Sequence, residues 1–212
     1  MSLDIAVGQA ADAYEQTIAP ALVDRYARDL VERARPIGAS HRILDLDCGT
    51  GIVARVLRER LGGAANIVGV DPSPPMIEKA RSLEPELDWR VGNTMALPFA
   101  DGSFDLVLCQ KMLQFVSDRM AALCEVRRVL SPGGRFIVST WRRLRSEQTF
   151  DGAALGHALT QAGFTHVRVE TVSLTEGADG TSAPSAADVA TALAPQNEVE
   201  PQIRVDTNGG KP

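Results

Sequence analysis

The chain has 212 residues, 44% hydrophobic and 23% charged, which is the composition of a globular protein long enough to bury a core. Its formal net charge of −5 argues against a nucleic-acid-binding surface. Its three unevenly spaced cysteines indicate reduced thiols, and no apolar stretch reaches the roughly 18 residues of a membrane span. Because the first residues also lack a signal-peptide pattern, we expect a cytoplasmic protein that binds neither nucleic acid nor membrane.

The predicted elements alternate between strand and helix after a helical start. Residues 10–34 favour helix, interrupted at Pro20, a residue that suits the first turn of a helix. Short apolar runs then alternate with amphipathic segments, as is typical of a parallel sheet with helices on both faces. We predict strands at residues 42–45, 66–70, 88–91, 104–109, 135–141 and 166–174, and helices at residues 51–61, 75–82, 118–130 and 151–162.

The last part of the chain has a different composition. Residues 175–202 are rich in small and polar residues and contain no aromatic side chain, which predicts a flexible or weakly helical excursion. Within it, residues 186–194 favour a short helix, and residues 203–206 favour a last antiparallel strand before a tail. We therefore divide one domain into a helical cap (1–36), a core (37–174) and this excursion (175–212).

A glycine-rich loop joins the first predicted strand to the next helix, in the sequence ILDLDCGTG of residues 43–51. Such a loop lets the backbone approach a ligand and directs helix N–H groups towards it. The pattern from Gly49 to Ala54, with Asp71 about 20 residues later, fits a dinucleotide site, so an NAD(P)-dependent oxidoreductase is one hypothesis. Asp45 argues against it, because a carboxylate there would repel a pyrophosphate but would tolerate a ligand with an ammonium group.

Three further segments narrow the choice. They are residues 92–99 (GNTMALPF), 101–108 (DGSFDLVL) and 128–138 (RVLSPGGRFIV). Together with the glycine loop, they resemble the class I S-adenosylmethionine-dependent methyltransferases, in particular the small-molecule group that includes the quinone-biosynthesis C-methyltransferases. The resemblance covers residues 14–172. It implies a Rossmann-like, doubly wound, mostly parallel seven-stranded sheet with an N-terminal helical cap. It also implies S-adenosylmethionine as cofactor and S-adenosylhomocysteine as product.

The resemblance assigns cofactor contacts to particular residues. Gly49 and Gly51 would lie beside the methionine part of the cofactor, and Asp45 would act on its ammonium group directly or through water. Asp71 would accept hydrogen bonds from both ribose hydroxyls. Asn93 stands where the family usually has Asp against the adenine amino group, and an Asn still has a carbonyl acceptor. The local alternatives are that Asp45 caps a turn and that Asp71 caps a helix.

Other predicted cofactor contacts are less specific. Met76 would pack on the adenine, although a core methionine is the alternative. A backbone N–H of Thr94 or Met95 would bind a ring nitrogen, and Gln110 would meet the methionine end through its backbone. The predicted cofactor set is completed by Pro72, Cys48 and Asp47.

Asp47 is the main departure from the family, which normally has a small residue at that position. A second carboxylate beside Asp45 adds repulsion and could crowd the cofactor carboxylate. We therefore predict that Asp47→Gly tightens cofactor binding.

The acceptor side of the site is poorly marked, and the resemblance suggests Tyr14, Gln114, Phe115 and Trp141 as substrate contacts. No residue stands out as a general base, and no Cys, His and Asp cluster has metal-ligand spacing. We expect an enzyme that transfers a methyl group to a small-molecule acceptor. A cofactor-binding but catalytically weak or silent relative and the oxidoreductase are the alternatives. The oligomeric state is left open, and a homodimer is compatible with the sequence.

Overall fold

The computed structural model describes residues 11–16, 23–62, 66–110, 113, 116–141, 151–172 and 187–194. Residues 11–16 are helical. The helices that follow are α1 Asp24–Arg33, α2 Ile52–Leu61, α3 Pro74–Leu83, α4 Arg119–Val129 and α5 Gly152–Gln161. The strands are β1 Arg42–Leu46, β2 Asn66–Asp71, β3 Asp88–Val91, β4 Phe104–Gln110, β5 Leu130–Trp141, β6 Thr165–Val172 and β7 Ala187–Leu193.

The strands form one seven-stranded sheet in the order β3-β2-β1-β4-β5-β7-β6. The five strands from β3 to β5 are parallel to one another, and β7 runs antiparallel to both of its neighbours, β5 and β6. This arrangement confirms the predicted Rossmann-like, doubly wound and mostly parallel fold.

The sheet is buried on both faces because alternate residues of each strand point to opposite sides. Leu44 and Leu46 of β1 belong to a hydrophobic cluster with α4 and α5. Ile43, the residue before Leu44, points to the opposite face and belongs to the other cluster, which includes residues of α1, α2 and α3. The near-continuous apolar runs of β1 and β4 are thus explained by burial on two faces.

Most predicted elements are confirmed, but the C-terminal prediction is wrong in one respect. Residues 187–193 form strand β7 rather than part of a short helix. The strand conformation is favoured over helix because the backbone of β7 pairs with β5 on one side and β6 on the other. The predicted strand at 203–206 and part of the 10–34 helix, residues 17–22, lie outside the described residues. No helix in the described part of the chain is long and apolar enough to cross a membrane.

Candidate cofactor site

Several of the predicted site residues lie at the carboxyl edge of the parallel strands. Asp71 ends β2 and Gln110 ends β4, while Asp45 lies near the end of β1, the strand between them. Chain connections leave β1 towards one side of the sheet and β4 towards the other. A crevice at such a switch point is where ligands bind in open α/β sheets.

The glycine loop has a tightly packed inner side and an open outer side. Gly49 and Gly51 have positive φ angles of 55° and 83°. A Cβ on Gly51 would lie 2.2 Å from the Trp89 ring, whereas a Cβ on Gly49 would meet nothing within 4 Å. The Trp89 indole therefore packs against the inner side of the loop, and Gly49 leaves the outer side of the loop accessible to a ligand.

Asp71 connects the loop to the next helix. Its Oδ2 accepts a hydrogen bond from the Gly49 N–H at 2.8 Å, and its Oδ1 accepts one from the Ser73 N–H at 2.8 Å. The carboxyl group is mostly buried, and this burial raises its pKa. Asp71 thus orders the loop and the start of α3, in addition to the ribose contact that the family resemblance implies.

Asp45 lies deeper than Asp71, with 1% of its surface exposed. Its Oδ2 accepts a hydrogen bond from the Ala54 N–H at 2.9 Å, in the first turn of α2. Burial, with smaller effects from the Asp71 and Asp47 carboxylates, raises the pKa of Asp45 to about 8. The local capping role and the predicted ligand role are compatible, because one oxygen anchors the helix and the second has its own acceptor capacity.

Asp47 has an unusual backbone for an aspartate. Its φ angle is 57°, in the left-handed region that favours glycine. Burial and then the nearby Asp71 carboxylate raise its pKa to about 7. Asp47 is one of the residues that line the cleft.

A helical segment, residues 11–16, closes over the glycine loop. Glu15 Oε2 accepts a hydrogen bond from Thr50 Oγ1 at 2.6 Å, and Glu15 Oε1 pairs with Arg55 Nη2 at 2.6 Å. Asp12 forms a second ion pair, 2.7 Å from Lys79 Nζ on α3. We refer to residues 11–16 with these contacts as the N-terminal clasp.

Tyr14 of the clasp faces the carboxylates. Burial, then Glu15 and the three site aspartates, raises the pKa of Tyr14 to about 12. Its hydroxyl therefore stays protonated at neutral pH and can donate a hydrogen bond into the cleft. Tyr14 lines the cleft, and its contact with the substrate stays a prediction.

The cleft between the clasp and the loop is narrow, with a cavity volume of about 40 Å³. Gln110 Nε2 donates to the Val23 carbonyl at 3.1 Å, so its side chain supports the helical segment that leads into α1. Of the described residues that line the cleft, none is cationic. They are Tyr14, Val23, Asp45, Asp47, Cys48, Gly49, Thr50, Ile52, Val53 and Gln110.

The predicted adenine side lies beyond Asp71, after β3. Asn93 is exposed, and its Oδ1 accepts a hydrogen bond from the Met95 N–H at 2.9 Å. The family resemblance predicts that the side-chain oxygen of Asn93 binds the adenine amino group and that the Met95 N–H binds a ring nitrogen. In the structure these two groups are instead hydrogen-bonded to each other. Thr94 is buried, and Met76 is half-buried on α3.

Five predicted contacts remain. Pro72 is exposed beside Asp71, and Cys48 is half-buried. Trp141 ends β5, and its side chain lies outside the described residues, as do Gln114 and Phe115. The described residues contain no group of three or more His, Cys, Asp or Glu side chains that could hold a metal ion.

Sequence reasoning missed two residues, Glu15 and Trp89. Nothing in the sequence marks Glu15, because its partners are 35 and 40 residues away. Trp89 is only weakly indicated by the sequence. It is a large aromatic residue in β3, and the neighbouring strand β2 contains Gly69, where an added Cβ would also collide with the ring.

The charges and the open loop fit S-adenosylmethionine better than a dinucleotide. Three carboxylates without a described cation beside them attract an ammonium and a sulfonium group, and they repel a pyrophosphate. The open side of Gly49 gives the ligand access to the backbone. The chemistry of the site therefore favours the adenosyl cofactor.

Comparison with known proteins agrees with this chemistry. A family model described as a methyltransferase domain matches residues 44–138. A demethylmenaquinone methyltransferase of Thermus thermophilus is 43% identical over 104 residues, which are 47% of each chain. A malonyl-[acyl-carrier protein] O-methyltransferase of Erwinia pyrifoliae is 35% identical over 181 residues, covering 76% of this chain and 67% of that protein.

A solved structure gives the same fold. An S-adenosylmethionine-dependent methyltransferase of Thermotoga maritima superposes with a TM-score of 0.70 at 23% identity, covering 90% of this chain and 97% of that one. The chain spans about half the length of the Thermus thermophilus relative, but two thirds of the Erwinia pyrifoliae protein. The chain belongs to the class I S-adenosylmethionine-dependent methyltransferase family.

Proposed function

We propose that the chain binds S-adenosylmethionine in the described cleft and transfers its methyl group to a small organic acceptor by direct in-line displacement. The observation that carries this proposal is the set of three aspartates, Asp45, Asp47 and Asp71, around a glycine loop with an open outer side. The cofactor's sulfonium supplies a methyl group that is already activated. The protein then has to bind the cofactor, orient the acceptor towards the methyl group and exclude water.

The described residues suit these tasks better than acid–base catalysis. Tyr14 covers the cleft, and its raised pKa makes it a donor rather than a base. Asp45 is committed to the Ala54 N–H and is almost fully buried. We therefore expect neither Tyr14 nor Asp45 to act as a general base. The acceptor has to be a nucleophile in its own right, or lose its proton to water or to Asp47, which lines the cleft and has a pKa of about 7.

The class of acceptor is proposed only broadly. The two sequence relatives are named for demethylmenaquinone and for malonyl-[acyl-carrier protein], which are chemically different acceptors. Similar cofactor cores therefore serve different acceptors, and function depends on the site beyond the core. We propose an acceptor that is a small organic group, without choosing between carbon, oxygen and nitrogen as the methylated atom.

The first test is calorimetric titration of the protein with S-adenosylmethionine, S-adenosylhomocysteine and a reduced nicotinamide dinucleotide. We expect the two adenosyl compounds to bind with micromolar dissociation constants, about −8 kcal/mol, and the dinucleotide not to bind. Absence of adenosyl binding would overturn the proposal, and dinucleotide binding would restore the oxidoreductase hypothesis.

A second candidate function is a cofactor-binding protein that transfers no methyl group. The observation that favours it is Asp47, a carboxylate with left-handed backbone that lines the cleft where the family has a small residue. Labelled methyl transfer from bound cofactor to a panel of quinol, phenol, amine and carboxylate acceptors separates the two. Transfer to any acceptor excludes this candidate, and binding without transfer supports it.

A further inference from the structure

The turn after β3 fixes the orientation of the Asn93 side-chain amide. Its Oδ1 accepts the Met95 N–H at 2.9 Å, and the Ala96 N–H donates to the Asn93 carbonyl at 3.0 Å. A backbone N–H can pair only with an acceptor, so the amide oxygen must face the turn. The Nδ2 group, which is only a donor, therefore points away from the turn.

The turn is also joined to the candidate cofactor site. The Gly92 N–H donates to the Asp71 carbonyl at 3.0 Å, so Asn93 lies at the same sheet edge, one strand beyond the predicted ribose contact. Asn93 is exposed and accessible to a ligand. The family resemblance implies that a nucleoside with its ribose at Asp71 has its base beside this turn.

We propose that Asn93 presents a hydrogen-bond donor to the base, so that the site does not select for the 6-amino group of adenine. This inference rests on the proposed adenosyl cofactor. An aspartate at position 93 could accept the Met95 N–H with one oxygen and the adenine amino group with the other. With Asn93, the outward Nδ2 group and the 6-amino group are both donors and cannot bond to each other.

The alternative is that the amide rotates when the cofactor binds. Rotation would bring Oδ1 to the adenine amino group, but it would also leave the Met95 N–H facing the Nδ2 donor. The protein would exchange one hydrogen bond for another and gain little. The orientation found in the turn is therefore the one that we expect in the bound state.

The test is a double-mutant cycle in which one partner is the ligand. S-adenosylhomocysteine and its analogue with hydrogen in place of the 6-amino group are titrated calorimetrically into wild type and Asn93→Asp. In wild type we expect the two dissociation constants to agree within about threefold, and in Asn93→Asp we expect the amino-bearing ligand to bind about tenfold tighter than the analogue. The added negative charge acts on both ligands and cancels in the ratio.

Asn66→Asp is the matched control, because Asn66 is exposed at the opposite end of β2 and the substitution adds the same charge. We expect it to leave the ratio as in wild type. A tenfold or larger preference for the amino-bearing ligand in wild type would overturn the inference, and that measurement needs no variant to fold. Failure of both ligands to bind any of the proteins would instead overturn the proposed cofactor.

Discussion

At the scale of single residues, the site combines acidic groups that each lose hydration on folding. Asp45, Asp47 and Asp71 all have pKa values raised by burial. The described residues place no arginine or lysine in an ion pair with any of them, so a bound cation is the natural partner of the cluster. In the free protein these aspartates therefore retain protons near neutral pH. As the pH rises and the protons dissociate, the affinity for a cationic ligand increases.

The first prediction concerns the pH dependence of stability without cofactor. A raised folded-state pKa means that the folded state binds more protons than the unfolded chain. Asp45 then lowers the free energy of unfolding as pH rises from its unfolded pKa of about 4 towards its folded pKa of about 8. Asp45→Asn keeps an acceptor for the Ala54 N–H and removes this loss. We expect the variant to be more stable than wild type by at least about 1 kcal/mol at pH 8, a rise of roughly 2–4 °C in melting temperature, with a smaller difference at pH 5.

Urea unfolding at the two pH values measures this difference. Asp105→Asn is a control of opposite sign, because hydrogen bonds from Arg42 lower the Asp105 pKa. Asp105 stabilises the fold above its unfolded pKa of about 4, and its contribution disappears as pH falls. We expect this variant to be less stable at neutral pH. A stability gap between Asp45→Asn and wild type that is the same at pH 5 and pH 8 would contradict the assignment.

The second prediction concerns Asp47. Replacement by Gly removes a carboxylate that lines the cleft and suits the φ of 57°. We expect Asp47→Gly to bind S-adenosylmethionine more tightly by a few-fold and to melt at a higher temperature. Asp47→Ala removes the same charge but retains the backbone strain, so it should share the gain in affinity and show a smaller gain in stability than Asp47→Gly. A dissociation constant that is unchanged or weaker in Asp47→Gly would refute the proposed crowding.

Residue roles differ in how far the sequence could predict them. The positions of Asp45, Gly49 and Gly51 follow from one motif, because a strand, a turn and a helix start impose their spacing, and Asp71 follows from the end of the next strand. The hydrogen bond from the Met95 N–H to the side-chain oxygen of Asn93 could not be predicted, because it depends on the backbone conformation of the turn after β3.

At the scale of elements, the glycine loop is held from two sides. Trp89 of β3 fills the space beneath it, and the N-terminal clasp holds Thr50 and Arg55 above it. The strands were predictable because both of their faces are buried, which gives continuous apolar runs. β7 was not, because its sequence ADVATAL contains three alanines, the strongest helix formers, and pairing with two neighbouring strands outweighs that preference.

The third prediction tests the clasp as an element. Glu15→Ala removes the hydrogen bonds to Thr50 and Arg55, both of them charge-assisted and at most partly exposed. We expect the affinity for S-adenosylmethionine to fall by about 1–2 kcal/mol, roughly 5–30-fold, because the cover over the cleft has to be ordered on binding. Calorimetry measures the affinity, and hydrogen exchange at residues 11–16 measures the opening of the clasp.

Glu59→Ala is the matched control for this variant. Glu59 lies on α2 like Arg55 and pairs with Arg28, but its side chain is 60% exposed and neither partner lines the cofactor cleft. We expect wild-type affinity from this control. Equal losses in the two variants would mean that general weakening of the α1–α2 region, and not the clasp, sets cofactor affinity.

At the scale of the whole molecule, the parallel strands and the antiparallel strand β7 share one hydrophobic cluster. Leu44 and Leu46, beneath the candidate site, belong to the same buried cluster as Phe136 of β5 and Ala192 of β7. The antiparallel strand β7 occupies the space between β5 and β6, so those two strands have no direct pairing without it. The C-terminal segment therefore supports the site through the core, although it contributes none of the described cleft residues.

The last prediction follows from this continuity. A chain that ends after residue 186 lacks β7, so the edges of β5 and β6 lose their partners and the cluster loses Ala192 and Ala194. We expect this truncation to lose the cooperative thermal transition and to bind no cofactor, as measured by circular dichroism and calorimetry. A chain that ends after residue 196 keeps every described residue and is the control, and we expect it to keep the transition. If the shorter chain unfolded at the wild-type temperature and bound cofactor normally, the strands that carry the site would form an independent folding unit, and the shared core would not be needed for function.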